Sequence, residues 1–209
     1  MKIFDCFMFY DENMLLDVRL NILDKYVDYF IIVESKQYHN GKDRTLQFRL
    51  ENFKKYKDKI IYIVQEGVPK GILELSDDDG HGETSAKLIT NAHLRENYQR
   101  NQIMRGLTKA TDDDFILISD VDEIPNLDIV NIKNVKNKYI MFEQKIFYYK
   151  FNRILPNFTW YGTKACKKKF LKSPQWLRNF KNKKFPVWRL DTLFSQKKFI
   201  DKFYVKNGG

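Results

Sequence analysis

Asp114-Phe115-Ile116-Leu117-Ile118-Ser119-Asp120-Val121-Asp122-Glu123-Ile124-Pro125 is the stretch whose reading decides the fold. It opens with a continuous apolar run. A short run without polar alternation reads as a strand buried on both faces. It closes on three carboxylates, Asp120, Asp122 and Glu123. Residues two apart on a strand share a face, so Asp120 and Asp122 would project together, with Cα atoms roughly 6.5 Å apart. One hard divalent cation fits between them. Mg²⁺ takes one or two protein carboxylates and leaves its other positions to water and substrate phosphates. In open α/β sheets ligands bind beyond the carboxyl ends of the strands, where this cluster lies. A second reading also stands: the acids cap a short helix starting near Pro125. Charge alone does not make a site in a chain that is 31% charged, since Asp77-Asp78-Asp79 and Asp112-Asp113-Asp114 are equally acidic.

Upstream of this stretch, apolar runs alternate with helical patterns. Lys2 to Phe7 reads as a first strand. Asp11 or Asn13 can cap a helix running to about Tyr26, with Leu15, Val18, Ile22 and Tyr26 at helical spacing. Tyr29 to Val33 is a second strand, with Glu34 and Ser35 at its carboxyl end. Leu46, Leu50 and Phe53 suggest a short helix, and Lys59 to Val64 a third strand. Strands alternating with helices imply βαβ units and a mainly parallel sheet. Residues 69–85, rich in Gly and acids, read as a long loop. A helix from about Ala86 to Ala110 follows, with Ile89, Ile103 and Leu107 on its stripe. Glu96 and Arg100 project along that same stripe. An inward charge is costly unless paired or used. Arg100 therefore either fixes helix against sheet or reaches a phosphate with its planar fork.

Downstream, the order loosens. Leu127 to Ile132 suggests a short helix, Tyr139 to Glu143 and Ile146 to Tyr149 read as strands, and a helix is expected from Pro174 to Phe180. Trp160, Trp176 and Trp188 could stack on a sugar ring, although core packing suits each of them. Asn207-Gly208-Gly209 does not look like the end of a packed element.

Length and composition narrow the class. The chain has 209 residues, 43% hydrophobic and 15% aromatic, which suits one folded domain. No apolar stretch reaches the roughly 20 residues that span a bilayer. Asp5 interrupts the first apolar run, which argues against a signal peptide. Cys6 and Cys166 form no disulfide framework and no metal-site spacing, so a cytoplasmic location is expected. The net charge of +10 is concentrated between Lys164 and Lys206. Such a region could meet an anionic membrane, a phosphorylated ligand or nucleic acid, or simply be a solvated surface.

Several motifs in order carry a resemblance. Asp5-Cys6-Phe7, Asp11-Glu12 leading to Leu16 and Arg19-Leu20, Val33-Glu34-Ser35, Arg100-Asn101-Gln102 and Ser119 to Pro125 resemble glycosyltransferase family 17. The likeness is strongest from Lys2 to Asn126. It implies a GT-A-type α/β fold, a mainly parallel Rossmann-like sheet flanked by helices with an irregular acceptor half. It further implies a UDP-sugar donor (UDP-GlcNAc), a glycan or glycoconjugate acceptor, a divalent cation (Mn²⁺ or Mg²⁺) and inversion at the anomeric carbon. By position, Asp120 and Asp122 would be the metal motif, with Asp120, Arg100, Phe7 and Glu34 near the donor. Residues 1–126 would form the donor half and 127–209 the acceptor half. Family members continue past a Gly-Gly pair into a Trp-His segment, so a C-terminally truncated acceptor half is expected.

Inversion in one displacement needs a general base. Glu143, Glu123 and Asp191 are the candidates, and nothing in the sequence ranks them. Two rival functions share some of these features. A metal-dependent nucleotidyltransferase or phosphodiesterase would use the same carboxylates. A nucleic-acid-binding protein would use the basic region, but it leaves the acidic cluster without a purpose, and no nucleic-acid partner is expected. Peripheral contact with an anionic membrane through the basic C-terminal region is expected instead.

Overall fold

In a computed structural model, the protein is described over residues 1–147, 153–156, 158–180 and 201–209. Seven strands form one sheet: β1 (Ile3–Phe9), β2 (Tyr29–Ser35), β3 (Ile60–Gln65), β4 (Phe115–Ser119), β5 (Tyr139–Gln144), β6 (Trp160–Lys167) and β7 (Lys202–Val205). Their spatial order is β3-β2-β1-β4-β6-β5-β7. β3, β2, β1 and β4 run parallel. β6 runs antiparallel to both β4 and β5, and β7 returns parallel to β5. The helices are α1 (Asn13–Leu23), α2 (His81–Asn101), α3 (Ile103–Gly106) and α4 (Pro174–Arg178). The architecture is the expected α/β fold of GT-A type.

The sheet separates two apolar layers. One face carries Phe7, Phe9, Phe30, Ile32, Phe115 and Leu117 against Leu16, Leu20 and Leu23 of α1. The other carries Cys6, Ile31, Val33, Ile116 and Ile118 against Ile103, Leu107 and Leu177. β4 is buried at every position, as its unbroken apolar run requires.

The buried face of α1 differs from the expected stripe. Leu16, Arg19, Leu20 and Leu23 point inward, while Val18 and Ile22 are exposed. The true stripe contains an arginine, and a count of apolar residues passes over it. Similarly, Ile89 is exposed on α2, whereas Ile103 and Leu107 are buried. α2 begins at His81 and the expected long helix breaks near Gln102 into α3 and a 3-10 turn. Leu50–Tyr56 is a 3-10 turn rather than an α-helix, and the only helical piece near Leu127 to Ile132 is a 3-10 turn at Ile132–Asn134. β6 and β7 were not legible as strands, because lysines interrupt their apolar pattern. Of the strand expected at Ile146 to Tyr149, Phe147 forms an isolated bridge with Ile154, and residues 148 and 149 lie outside the described residues.

The Gly208-Gly209 pair is packed, contrary to expectation. The Gly208 N–H donates to the Glu143 carbonyl at 2.6 Å, and the Gly208 carbonyl accepts from Asn126 N–H at 2.7 Å. A Cβ on Gly208 would lie 2.9 Å from the Val205 carbonyl oxygen. Glycine lets the strand end press between β5 and the segment after the acidic cluster.

Candidate functional site

At the carboxyl ends of β1 and β4, a cleft of about 440 Å³ opens. One wall is Asp120, Val121 and Asp122. The other is formed by Tyr10, Tyr38, His39 and Arg44, with Met8, Phe9 and Gln99 behind. The two carboxylates do not share a strand face. β4 ends at Ser119, and Asp120 to Asp122 form a turn closed by the Glu123 N–H donating to the Asp120 carbonyl at 3.1 Å. A turn instead of a pleat gives the two aspartates different neighbours.

Arg19 builds that turn. Its side chain is fully buried and lies 4.6 Å from the Phe7 ring centroid. Nε and Nη2 grip Asp5 at 2.7 and 2.6 Å, and Nη2 also donates to Ser119 Oγ at 2.6 Å. Nη1 is shared among the carbonyls of Asp120, Val121 and Glu123 at 3.0, 3.1 and 3.1 Å. Those carbonyls have no strand partner after β4 ends, and an unpaired buried carbonyl is costly. Arg19 supplies the donors that let the chain turn there.

Asp120 is held on both sides. Its Oδ1 accepts from Arg100 Nη2 at 3.0 Å and its Oδ2 from Arg178 Nη2 at 2.7 Å. Arg100 is buried, and also donates to Glu96 at 2.8 Å and to Gln175 on α4. Arg100 therefore ties helix to sheet, the first of its two expected roles, and does so at the acidic cluster. Arg178, at the end of α4, was not singled out from the sequence. It carries Glu123 on Nη1 and Nη2 at 2.7 and 2.8 Å and the Gly162 carbonyl on Nη1 at 2.6 Å. A basic residue in a Lys-rich tail gives no sequence signal that it folds back sixty residues to the motif.

Glu123 is buried and fully engaged. Besides Arg178 it accepts from the Asp120 N–H at 2.8 Å and from Trp160 Nε1 at 2.7 Å. With both oxygens taken by protein donors, it has no open position toward an acceptor hydroxyl in this arrangement, which argues against the expectation that it serves as general base. Glu143 is half-buried on β5 and does not line the cleft. Asp191 and Trp188 lie outside the described residues. Trp176 packs edge-on to Tyr139 and Phe180, as a core residue does.

Phe7 is fully buried in the core beneath Arg19 and does not line the cleft. Glu34 is also fully buried. Its oxygens accept from Gln47 N–H at 2.7 Å, Phe48 N–H at 3.0 Å and Tyr62 hydroxyl at 2.8 Å, and pair with Arg44 at 3.1 Å. Burial and Glu34 together push the Tyr62 hydroxyl pKa up. Glu34 thus fastens the 44–48 segment behind the cleft. Arg44 passes on into the cleft and stacks on Tyr10, 4.2 Å from its centroid, with Tyr38 5.9 Å from Tyr10.

Asp122 stands apart. It is exposed on the cleft wall, and among the described residues no other side chain bonds to it. Desolvation by the surrounding protein, then Glu123 and Asp120, raise its pKa above the ordinary aspartate value. Arg100 pairs with Glu96 and Asp120, and Arg178 with Asp120 and Glu123, which leaves Asp122 as the carboxylate of the motif without a guanidinium partner among the described residues. If a cation is bound here, Asp122 is the carboxylate with room for it. Among the described residues, no three His, Cys, Asp or Glu side chains cluster to hold a metal alone. The donor set fits a cation completed by phosphate and water, not one caged by protein. Asp120, with both oxygens capped by arginines, does not fit as a direct ligand in this arrangement.

A mainly parallel sheet with a cleft at its carboxyl edge, lined by acids and aromatics, is the arrangement in which open α/β sheets place their ligand sites. The chain belongs to glycosyltransferase family 17, whose family model matches residues 1–175. It is accordingly a glycosyltransferase. No curated protein matches it. Among solved structures it is similar to the 2-C-methyl-D-erythritol 4-phosphate cytidylyltransferase of Francisella tularensis, with 10% identity, 81% of this chain and 74% of that chain covered, and a TM-score of 0.36.

Proposed function

We propose that this glycosyltransferase is metal-dependent and inverting, and transfers a sugar, GlcNAc, from a UDP donor to a glycan acceptor. The observation that carries the reading is the cleft itself: Asp122, without a side-chain partner among the described residues, lines it together with Tyr10, Tyr38, His39 and Arg44, in a space of about 440 Å³. In this reading the aromatic wall takes the base and ribose, and Asp122 holds a Mn²⁺ or Mg²⁺ ion against the diphosphate. When bound, the cation offsets the charge that builds on the leaving diphosphate. Asp120 is assigned to fixing Arg100 and Arg178 at the rim, where their charge supports the same diphosphate.

In the transfer, the bond from the anomeric carbon to the diphosphate oxygen breaks as the acceptor oxygen bonds to the opposite face. The acceptor proton passes to a base. Glu143 and Asp191 stay in the proposal for that role. Both cysteines are free, buried thiols, which is compatible with the reducing, cytoplasmic location we assign. Among the described residues no helix is long and apolar enough to cross a membrane.

Calorimetric titration with UDP-GlcNAc, with and without Mn²⁺, tests the donor half of this reading. Binding that needs the metal and is competed by UDP is expected. Equal binding without metal would remove the cation from the proposal. A preference for another nucleotide sugar would replace the donor. Release of UDP on adding a mannose-containing acceptor tests transfer.

A further inference from the structure

The end of the sheet remote from the cleft carries a feature that the glycosyl-transfer reading does not use. β1 starts after Lys2, β5 after Lys138 and β7 at Lys202, while antiparallel β6 ends at Lys167 and leads on to Lys169 and Lys172. The register aligns these ends, with Ile3 opposite Phe115, Phe115 opposite Lys167, and Tyr139 opposite Lys202. Lysines from both halves of the chain therefore collect along one edge.

Their ammonium groups lie over half-buried rings. Lys2 and Lys109 lie over Tyr29 at 5.3 and 5.1 Å, and Lys138 and Lys169 over Phe170 at 5.5 and 5.7 Å. Lys172 lies over Trp176 at 5.3 Å and Lys202 over Phe180 at 5.9 Å. Of the acids at this end, Asp28 and Asp114 turn onto backbone, accepting from Ile3 N–H and from Lys2 and Thr111 N–H. Asp201 is exposed and accepts from Lys138 N–H. Asp113 alone of these acids is paired with lysines, Lys167 and Lys169. Asp112 is the other exposed acid of that run. The outward charge is strongly positive, at the opposite pole from the carboxylates of the cleft.

We propose that this amino-end face docks on an anionic phospholipid bilayer. Lysine above half-buried aromatic rings suits the headgroup layer, where aromatics sit and each lysine near an anionic surface adds affinity. The face spans the five strands from β1 to β7, four intervals and roughly 20 Å at sheet spacing, and has no cleft of its own among those described. A single-stranded nucleic acid would want open ring faces for stacking, and here lysines cover them. Docked this way, the cleft faces water about a strand length, roughly 20 Å, above the lipid.

Vesicle flotation of the full chain tests this surface, with phosphatidylcholine vesicles alone and with phosphatidylglycerol added, at low and high salt. Flotation only with the anionic vesicles, reversed by salt, is expected. The variant Lys138→Glu/Lys169→Glu/Lys172→Glu should lose at least about tenfold in vesicle affinity, with unchanged melting and UDP binding. Lys42→Glu/Lys70→Glu, away from this face, should float as the parent does. Flotation that ignores lipid charge, or survives the triple substitution, overturns the proposal. So does tighter retention of the parent by a single-stranded oligonucleotide than by the anionic vesicles.

Discussion

Arg19 and Asp5 meet through two parallel hydrogen bonds, Nε to Oδ2 at 2.7 Å and Nη2 to Oδ1 at 2.6 Å, with neither side chain exposed to solvent. Removing one partner of such a pair typically costs about 3–5 kcal/mol, because the other charge is left buried. Arg19→Lys keeps a charge but cannot serve Asp5, Ser119 and three carbonyls together. It should lower unfolding stability by about that amount in urea titration. Replacing the pair, Arg19→Met with Asp5→Leu, should not restore stability, since the Val121 carbonyl and Ser119 Oγ would still lose the guanidinium donor they share. A fully stable double variant would show that Arg19 serves Asp5 alone.

Asp122→Asn separates function from stability. Desolvation of the wild-type carboxylate by the surrounding protein, then the charges of Glu123 and Asp120, raise its pKa. The amide should leave the melting temperature unchanged or slightly higher, while metal-dependent UDP binding falls by more than about tenfold. A raised aspartate pKa also means that protons compete with the cation at higher pH than usual. UDP affinity in Mn²⁺ should therefore decline, as pH falls, earlier than an ordinary aspartate would dictate. Calorimetry across pH reads both effects.

Arg100→Lys preserves charge but loses the fork that reaches Glu96, Asp120 and Gln175 together. Donor affinity should drop more than the melting temperature does. A large loss of stability with normal donor affinity would limit Arg100 to holding α2 and α4 on the sheet.

Gly162 sits where Glu123 crosses β6. A Cβ there would come closest to Gln144 Oε1 and within 2.6 Å of Glu123 Cδ. Gly162→Ala should displace Gln144 from Thr163 N–H and Glu123 from its bonds to Trp160 and Arg178. Its cost is expected at about 1–3 kcal/mol, the range for overpacking, together with weaker donor binding. The signature is altered tryptophan fluorescence from Trp160 alongside the thermal shift.

Lys164 gives a pH test of the fold. Burial first, and Arg178 next, lower its pKa from 10.5 to about 8. The unfolded chain then holds more protons than the folded one between those values, so this group makes stability rise with pH across that window. The gain is at most about 3 kcal/mol, since the ammonium also donates to the Phe180 carbonyl at 2.8 Å and to that of Arg178. Lys164→Met should remove this part of the slope in unfolding titrations from pH 8 to 10.5. An unchanged slope would place it on other groups.

The sequence by itself determined the parallel core. β1, β2, β3 and β4 announce themselves because strands paired inside a parallel sheet carry short runs dominated by apolar residues, and that pattern is local. The end of β4 was legible as a site for a related reason: three carboxylates in four residues after such a run must be paired or reach solvent. The tertiary structure decided everything that depends on which charges meet. Asp120 and Asp122 look alike in sequence, yet one is clasped by Arg100 and Arg178 and the other faces the cleft. Glu123 looks like a base until Trp160 and Arg178 arrive from β6 and α4. Arg19 reads as a polar residue on α1 until burial shows that it carries the turn. Long-range ion pairs join residues far apart along the chain, and neither periodicity nor spacing encodes them. Only the packing of α1, α2 and α4 around the carboxyl end of β4 assigns each carboxylate its partner.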